Sequence, residues 1–314
     1  MIPSSMIILA YTMVAVNFFV VAICALWLYC FRNTTQVRIS QPMYLSLILL
    51  GCLISTSTII ALAQQDDGDG PVPACMAIPW LYSVGFSITF GTLFAKIRHV
   101  YKLYKAAVTV DVEECLAPSQ QEIFGIVGGI LLLDITILLV WTIVDPLEWQ
   151  RTVETVDKFG YPLSSTGQCI CDDWVIFAGI IGSLHLALML LAVGMCYVSR
   201  KIPTQLSESK YLGIAMFSNL QIFVIGLPIL VIVGSDPPTS FFVRSSIIWM
   251  NDLVVVTVIF GNLMIKRYLE SVKVTERDEE LEQIARQNYE QKREAAVMDR
   301  KEATTLVSNM LLQH

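Results

Sequence analysis

The chain has 314 residues, of which 55% are hydrophobic and 15% charged, with a mean hydropathy of +0.62. That is more apolar than a soluble globular domain of this size requires, and the apolar residues fall in runs of about 20 to 26, long enough for a helix to cross ~30 Å of hydrocarbon. The net charge of -6 says little about partners, because in a membrane chain the placement of Lys and Arg along the loops carries the information; no nucleic-acid partner is expected.

The first run, Met6–Phe31, has no basic n-region and no small-residue cleavage site, so it reads as a retained signal anchor preceded only by Met1 to Ser5. Six more runs follow at Met43–Ala63, Cys75–Tyr104, Glu122–Val144, Trp174–Val198, Tyr211–Gly234 and Phe241–Lys266. The fold expected is therefore an all-α membrane protein, a bundle of seven transmembrane helices. Lys and Arg gather after the first, third, fifth and seventh runs, at Arg32, Arg38, Lys96, Arg98, Lys102, Lys105, Arg200, Lys201, Lys210, Lys266 and Arg267; the opposite side holds Arg151, Lys158 and Arg244. The positive-inside rule then puts the N-terminus outside and the C-terminus in the cytoplasm, with the plasma membrane the expected location. The Asn33-Thr-Thr sequon would be cytoplasmic and silent.

Two parts are expected, a bundle over residues 1–266 and a charged cytoplasmic helical tail over 267–314. From Glu270 the tail lacks Pro and Gly, and Leu281, Ile284, Asn288, Gln291, Ala295 and Met298 follow a 3-4 spacing. Half of those positions are small or polar, which leaves two readings: a solvated helix laced with charged pairs, or a coiled coil that needs a partner.

Enzyme chemistry has little to stand on. There is no Gly-rich phosphate loop and no His-Glu-x-x-His, and only His99, His185 and His314 are available. No cofactor or metal is expected. The last span has no lysine at mid-membrane, which sets aside a retinal Schiff base. Pro228 is placed to kink the sixth span. Two carboxylates, Asp134 and Asp252, lie at membrane depth, where an ionisable group needs polar partners. His185 reads as a satisfied polar residue. Of the cysteines, Cys75, Cys169 and Cys171 sit where an oxidising compartment could pair them, while Cys24, Cys30, Cys52 and Cys196 fall inside spans.

Local motifs carry a resemblance. The third span reads Cys75-Met-Ala-Ile-Pro-Trp-Leu-Tyr-Ser-Val-Gly85 and continues to Lys96-Ile-Arg98. The fourth holds Gly128-Gly129 and Asp134, followed by Trp141-Thr-Ile-Val-Asp145-Pro and Arg151-Thr-Val-Glu154. Leu206-Ser-Glu208-Ser-Lys210-Tyr-Leu-Gly213 introduces the sixth span. In residue type, spacing and order these are similar to the membrane domain of GABA type-B receptors, within the class C receptors, over roughly Ile39 to Phe260.

The resemblance implies a disulfide from Cys75 to Cys169, worth about 2–4 kcal/mol through restriction of the unfolded chain; Cys171 remains a competing partner by spacing. It also implies an inner-face ionic lock between Lys96 and Glu208, which separation of the third and sixth helices would break. The plainer alternative is that Lys96 snorkels to phosphates and Glu208 caps its helix. Asp134 matches a family position expected to hydrogen-bond a neighbouring helix. Asp252 has no counterpart, and an ion or proton site there is the minor reading.

The implied function is signalling to a heterotrimeric G protein through inner loops carrying Arg98, Lys102, Lys105, Arg200, Lys201 and Lys210. Membrane lipids and a second class C subunit, in a homo- or heterodimer, would be the other partners. The chain departs from the family in two ways: the flytrap ectodomain that usually precedes the bundle is not seen before the first span, and the seventh helix ends Phe260-Gly-Asn-Leu263-Met-Ile-Lys266 where the family usually has Phe-x-Pro-Lys. Two rival functions are a small transporter or channel lined by Asp134 and Asp252, and a non-signalling partner subunit that escorts another receptor.

Overall fold

The computed structural model describes residues 2–64, 74–109, 120–157, 162–199, 208–234 and 236–311. The elements in order are α1 (Ser4–Phe31), α2 (Thr35–Ser40), α3 (Pro42–Leu62), α4 (Ala74–Thr109), α5 (Gln120–Val144), β1 (Glu148–Val156), β2 (Pro162–Ile170), α6 (Trp174–Ser199), α7 (Glu208–Val233) and α8 (Pro237–Leu311). Seven of these helices are long and apolar enough to span a membrane: α1, α3, α4, α5, α6, α7 and α8. The protein is a seven-helix integral membrane protein. The chain divides into two units, Met1–Asn262 and Leu263–His314.

In lipid a backbone must satisfy its own hydrogen bonds, and long apolar helices do so internally. Apolar side chains gain little by leaving hydrocarbon for a protein interior, so the helices associate through close packing and polar contacts. In the first unit α4 is the central helix, touching α3, α5, α6 and α7. Its tightest neighbour is α3. A Cβ on Gly85 would lie 2.7 Å from Ser55 Cα, and one on Gly51 would lie 2.8 Å from Thr89 N. Gly51 and Ser55 on α3, and Gly85 and Thr89 on α4, are each four residues apart and present two small-residue faces on which backbone meets backbone.

The N-terminal part of α8 packs on α1 and α3. Ala10, Val14, Ile59, Ala63, Phe241 and Ile248 form one buried cluster there. Pro228 lies inside α7 as the sequence places it, and α7 remains helical through it.

Two elements go beyond the helices read from sequence. The six-residue α2 turns the chain between α1 and α3, ending at Gln41, whose φ of 57° is the only positive value among the described non-glycine residues. The loop after α5 forms an antiparallel hairpin of β1 and β2, with Trp149 opposite Cys169. The Trp149 ring lies over Gly167, where any side chain would collide with it. An aromatic ring covering a cross-strand glycine supports a short, otherwise weak ribbon.

The second unit is helical to Leu311 and its described side chains are mostly exposed, Leu281 and Ile284 among them. Arg286 and Glu282 form an i,i+4 pair at 3.6 Å.

Candidate functional site

At the hairpin end of the bundle, Cys75 at the start of α4 is bonded to Cys169 on β2, with Cα atoms 5.5 Å apart. The bridge spans 94 residues of sequence and ties the hairpin to the central helix. Cys171 is free. It lies just past the end of β2 and packs on Leu138, Trp141 and Ile181, and burial pushes its thiol up from the ordinary cysteine range. The Asp145-Pro segment after α5 also has a structural task. The Asp145 carboxylate accepts the Asp173 backbone N–H at 2.7 Å, so the loop end of α5 holds the start of α6.

Deeper in the bundle, Asp134 on α5 is fully buried, and one of its oxygens collects three donors from two other helices. Ser83 and Ser87, one turn apart on α4, donate to Oδ2 at 2.7 and 2.6 Å, and His185 Nε2 on α6 lies 3.2 Å from the same oxygen. The His185 ring stacks against Phe86 with centroids 3.9 Å apart, which fixes its orientation. Asp134 Oδ1 and His185 Nδ1 find no hydrogen-bond partner among the described residues. The cluster gives an expensive buried group enough donors to stay, and it fastens α4, α5 and α6 to one another.

A second buried cluster joins α1, α3 and α8. Asn17 Nδ2 donates to Thr56 Oγ1 at 3.2 Å and to the Trp249 carbonyl at 3.4 Å, and Thr56 Oγ1 donates to Asp252 Oδ2 at 2.8 Å. The two membrane carboxylates thus belong to separate triples of helices. Asn219 on α7, completely buried, has neither amide atom hydrogen-bonded among the described residues.

At the other end of the bundle, Lys96 on α4 is half-buried, and its Nζ donates to the Ser40 carbonyl at the end of α2 at 3.4 Å. Glu208 is the first residue of α7; its side chain lies outside the described residues. Arg98 and Lys210 are exposed. Lys102 is paired with Glu122 at the start of α5, a contact between two helices. The side chain of Lys105, and Arg200 and Lys201, lie outside the described residues.

Sequence reading places Asp134 at membrane depth but does not join it to His185 or to the two serines. The signal that could do so is depth. Asp134 is ten residues in from the Val144 end of α5, His185 eleven in from Trp174, and Ser83 and Ser87 nine and thirteen in from Ala74. At 1.5 Å per residue all four lie at nearly the same level.

Comparison with known proteins gives the family of the bundle. The family model described as the 7 transmembrane sweet-taste receptor of 3 GCPR matches residues 2–262. The chain is 27% identical over 244 residues to gamma-aminobutyric acid type B receptor subunit 2 of Rattus norvegicus, covering 73% of this chain and 25% of that protein. It is 25% identical over 228 residues to metabotropic glutamate receptor-like protein E of Dictyostelium discoideum, covering 72% of this chain and 26% of that protein. With gamma-aminobutyric acid type B receptor subunit 2 of Caenorhabditis elegans the match is 23% over 264 residues, covering 82% and 31%. The chain therefore spans about a quarter to a third of the length of the curated relatives it matches. With a family model matching nearly the whole bundle and seven spanning helices in place, the chain belongs to the class C family of G-protein-coupled receptors, through their seven-transmembrane domain.

Proposed function

We propose that this bundle transmits a signal across the plasma membrane to a heterotrimeric G protein, with its N-terminus outside and its C-terminus in the cytoplasm. The observation that carries the reading is the placement of Lys96. It stands half-buried on the central helix, against α2, at the end of the bundle where α7 begins with Glu208 and where Arg98 and Lys210 are exposed.

In the resting state Lys96 and Glu208 hold α4 and α7 together at their cytoplasmic ends. A Lys–Glu contact is strongly attractive only where water is scarce, so parting the helices exchanges it for solvated charges at modest net cost. That is the property a two-state element needs. Parting α4 from α7 would open a cleft bordered by cationic residues for a helix of the partner. The α3–α4 seam, where backbones touch, would move as one body, which leaves α7 as the mobile partner.

The test is basal signalling of the full-length chain in cells. Glu208→Ala is expected to raise it about fivefold or more, the range of one coupling interaction. The charge swap Lys96→Glu with Glu208→Lys is expected to return it toward the wild-type level. Unchanged basal signalling in a well-expressed Glu208→Ala variant would refute the lock.

A second reading, a subunit whose main task is to pair with another receptor chain, is favoured by the relatives that are named as numbered receptor subunits and by the exposed Leu281 and Ile284 of the second unit. Co-expression with and without a second class C chain separates the two, because a partner subunit signals only in its company.

A further inference from the structure

An open groove of about 540 Å³ runs between α1 and α3. Its walls are apolar, with Val21, Ala25 and Leu28 on one side and Leu49 and Leu53 on the other, and one end is polar, where Arg32 and Tyr29 face Pro42 and Ser46. From Val21 to Arg32 and from Pro42 to Leu53 each wall is twelve residues long, a rise of ~17 Å at 1.5 Å per residue step. That is about half of the ~30 Å hydrocarbon core, the depth of one leaflet.

The walls alone select nothing, because an acyl chain gains no hydrophobic energy by leaving bulk lipid for an apolar groove. Selection has to come from the polar end. The Arg32 guanidinium is exposed and stands over the Tyr29 ring, 5.2 Å from its centroid. No carboxylate among the described residues lies within ion-pair distance of it. Arg38, exposed on the short α2, adds a second cation at the same end of the bundle. Pro42 and Met43, which line the groove, are the first residues of α3; Pro42 carries no backbone N–H, so this N-terminus offers an anion the helix dipole and the Met43 N–H. Guanidinium groups and a helix N-terminus together favour a phosphate, and they disfavour a headgroup that brings its own cation next to them.

We propose that the α1–α3 groove is a site for one anionic glycerophospholipid of the leaflet on the Arg32 side, with an acyl chain along Val21 to Arg32 and the headgroup phosphate on Arg32. The lipid would then bridge α1 and α3 at the end of the bundle where α2 joins them. The site is independent of any G-protein coupling.

Native mass spectrometry of the full chain in detergent, titrated in turn with phosphatidylglycerol and phosphatidylcholine, tests it. Wild-type protein is expected to retain one phosphatidylglycerol about fivefold more strongly than phosphatidylcholine, the contribution of one cation near a membrane surface. Arg32→Gln is expected to bring the two lipids to equal retention, Arg32→Lys to keep part of the preference, and Ala25→Phe to lower retention of both by filling the groove. Equal retention of the two lipids by wild type, or a preference unchanged in Arg32→Gln, would overturn the proposal. So would a wild-type dimer that Ala25→Phe converts to monomer, since the groove would then seat a second copy of this chain.

Discussion

Replacing Asp134 with Ala removes an acceptor that three donors share, and the structure sets the size of the effect. Ser83 and Ser87 have an alternative, because a helical hydroxyl can turn back to the carbonyl four residues earlier, as Thr92 does to Ile88 on the same helix at 2.6 Å. Each lost interhelical bond in a membrane then costs about 0.6 kcal/mol on average. His185 has no such escape: it is 1% exposed, stacked on Phe86, and its other nitrogen already has no hydrogen-bond partner among the described residues. Stranding its Nε2 costs about 1–3 kcal/mol, which brings the expected destabilisation to about 2–4 kcal/mol. The assay is unfolding of purified protein by denaturing detergent titrated into mild micelles, for Asp134→Ala, His185→Phe and the double variant. A phenyl ring keeps the stacking on Phe86 and removes the polar atoms, so the cycle isolates the Asp134–His185 interaction, expected at about 1–3 kcal/mol. An Asp134→Ala cost that is the same in the wild-type and His185→Phe backgrounds would refute the account of a shared polar clamp across α4, α5 and α6.

The other predictions concern helix packing, the hairpin and the inner face. Gly85→Ala, with its Cβ driven against the Ser55 backbone, is expected to destabilise the bundle by about 1–3 kcal/mol; Gly129→Ala, where nothing lies within 4 Å, is expected to be neutral or stabilising by up to about 1 kcal/mol, and thermal unfolding of the two variants side by side checks the contrast. Cys75→Ser should lower stability by about 2–4 kcal/mol and release the Cys169 thiol to alkylation, read by peptide mapping without reduction. Because burial raises the Cys171 thiol, its thiolate fraction at neutral pH is below that of an ordinary cysteine, and its labelling by a maleimide should stay slow in folded protein, increase as pH rises past the usual thiol range, and become fast on denaturation. Lys102→Ala should cost under about 1 kcal/mol in the same unfolding assay, since both partners of its pair with Glu122 are at least a third exposed.

The helices are the most legible part of the sequence because lipid imposes a single length scale on them. The spans read at Glu122–Val144 and Trp174–Val198 coincide with those of the structure, and the others differ by a few residues at their ends, except that α4 continues to Thr109 and α8 to Leu311. Both extensions are free of Pro and Gly, which permits a helix: Lys105-Ala-Ala-Val-Thr109 on α4, and on α8 the charged stretch from Arg267, where a helical tail is expected. The hairpin does not stand out in the sequence, although Thr152, Val153, Thr155 and Val156 are a β-branched group. Its ribbon depends on Trp149 covering Gly167 and on the tie from Cys169 to Cys75, and neither is a local property of the strands. The choice of Cys169 over Cys171 follows the same logic, since the cysteine beyond the end of β2 is taken up by Leu138, Trp141 and Ile181. Asp134 and Asp252 are legible as membrane carboxylates needing partners. Which helices supply those partners depends on how the bundle closes, a long-range property that periodicity within one span does not carry.

The most direct test of signalling is guanine-nucleotide exchange on a purified heterotrimeric G protein, measured with the full chain in lipid nanodiscs, as wild type and as Glu208→Ala. Glu208→Ala is expected to speed exchange about fivefold or more over wild type, the size of one lost coupling interaction. Exchange at the uncatalysed rate with both proteins, each folded and inserted, would contradict it.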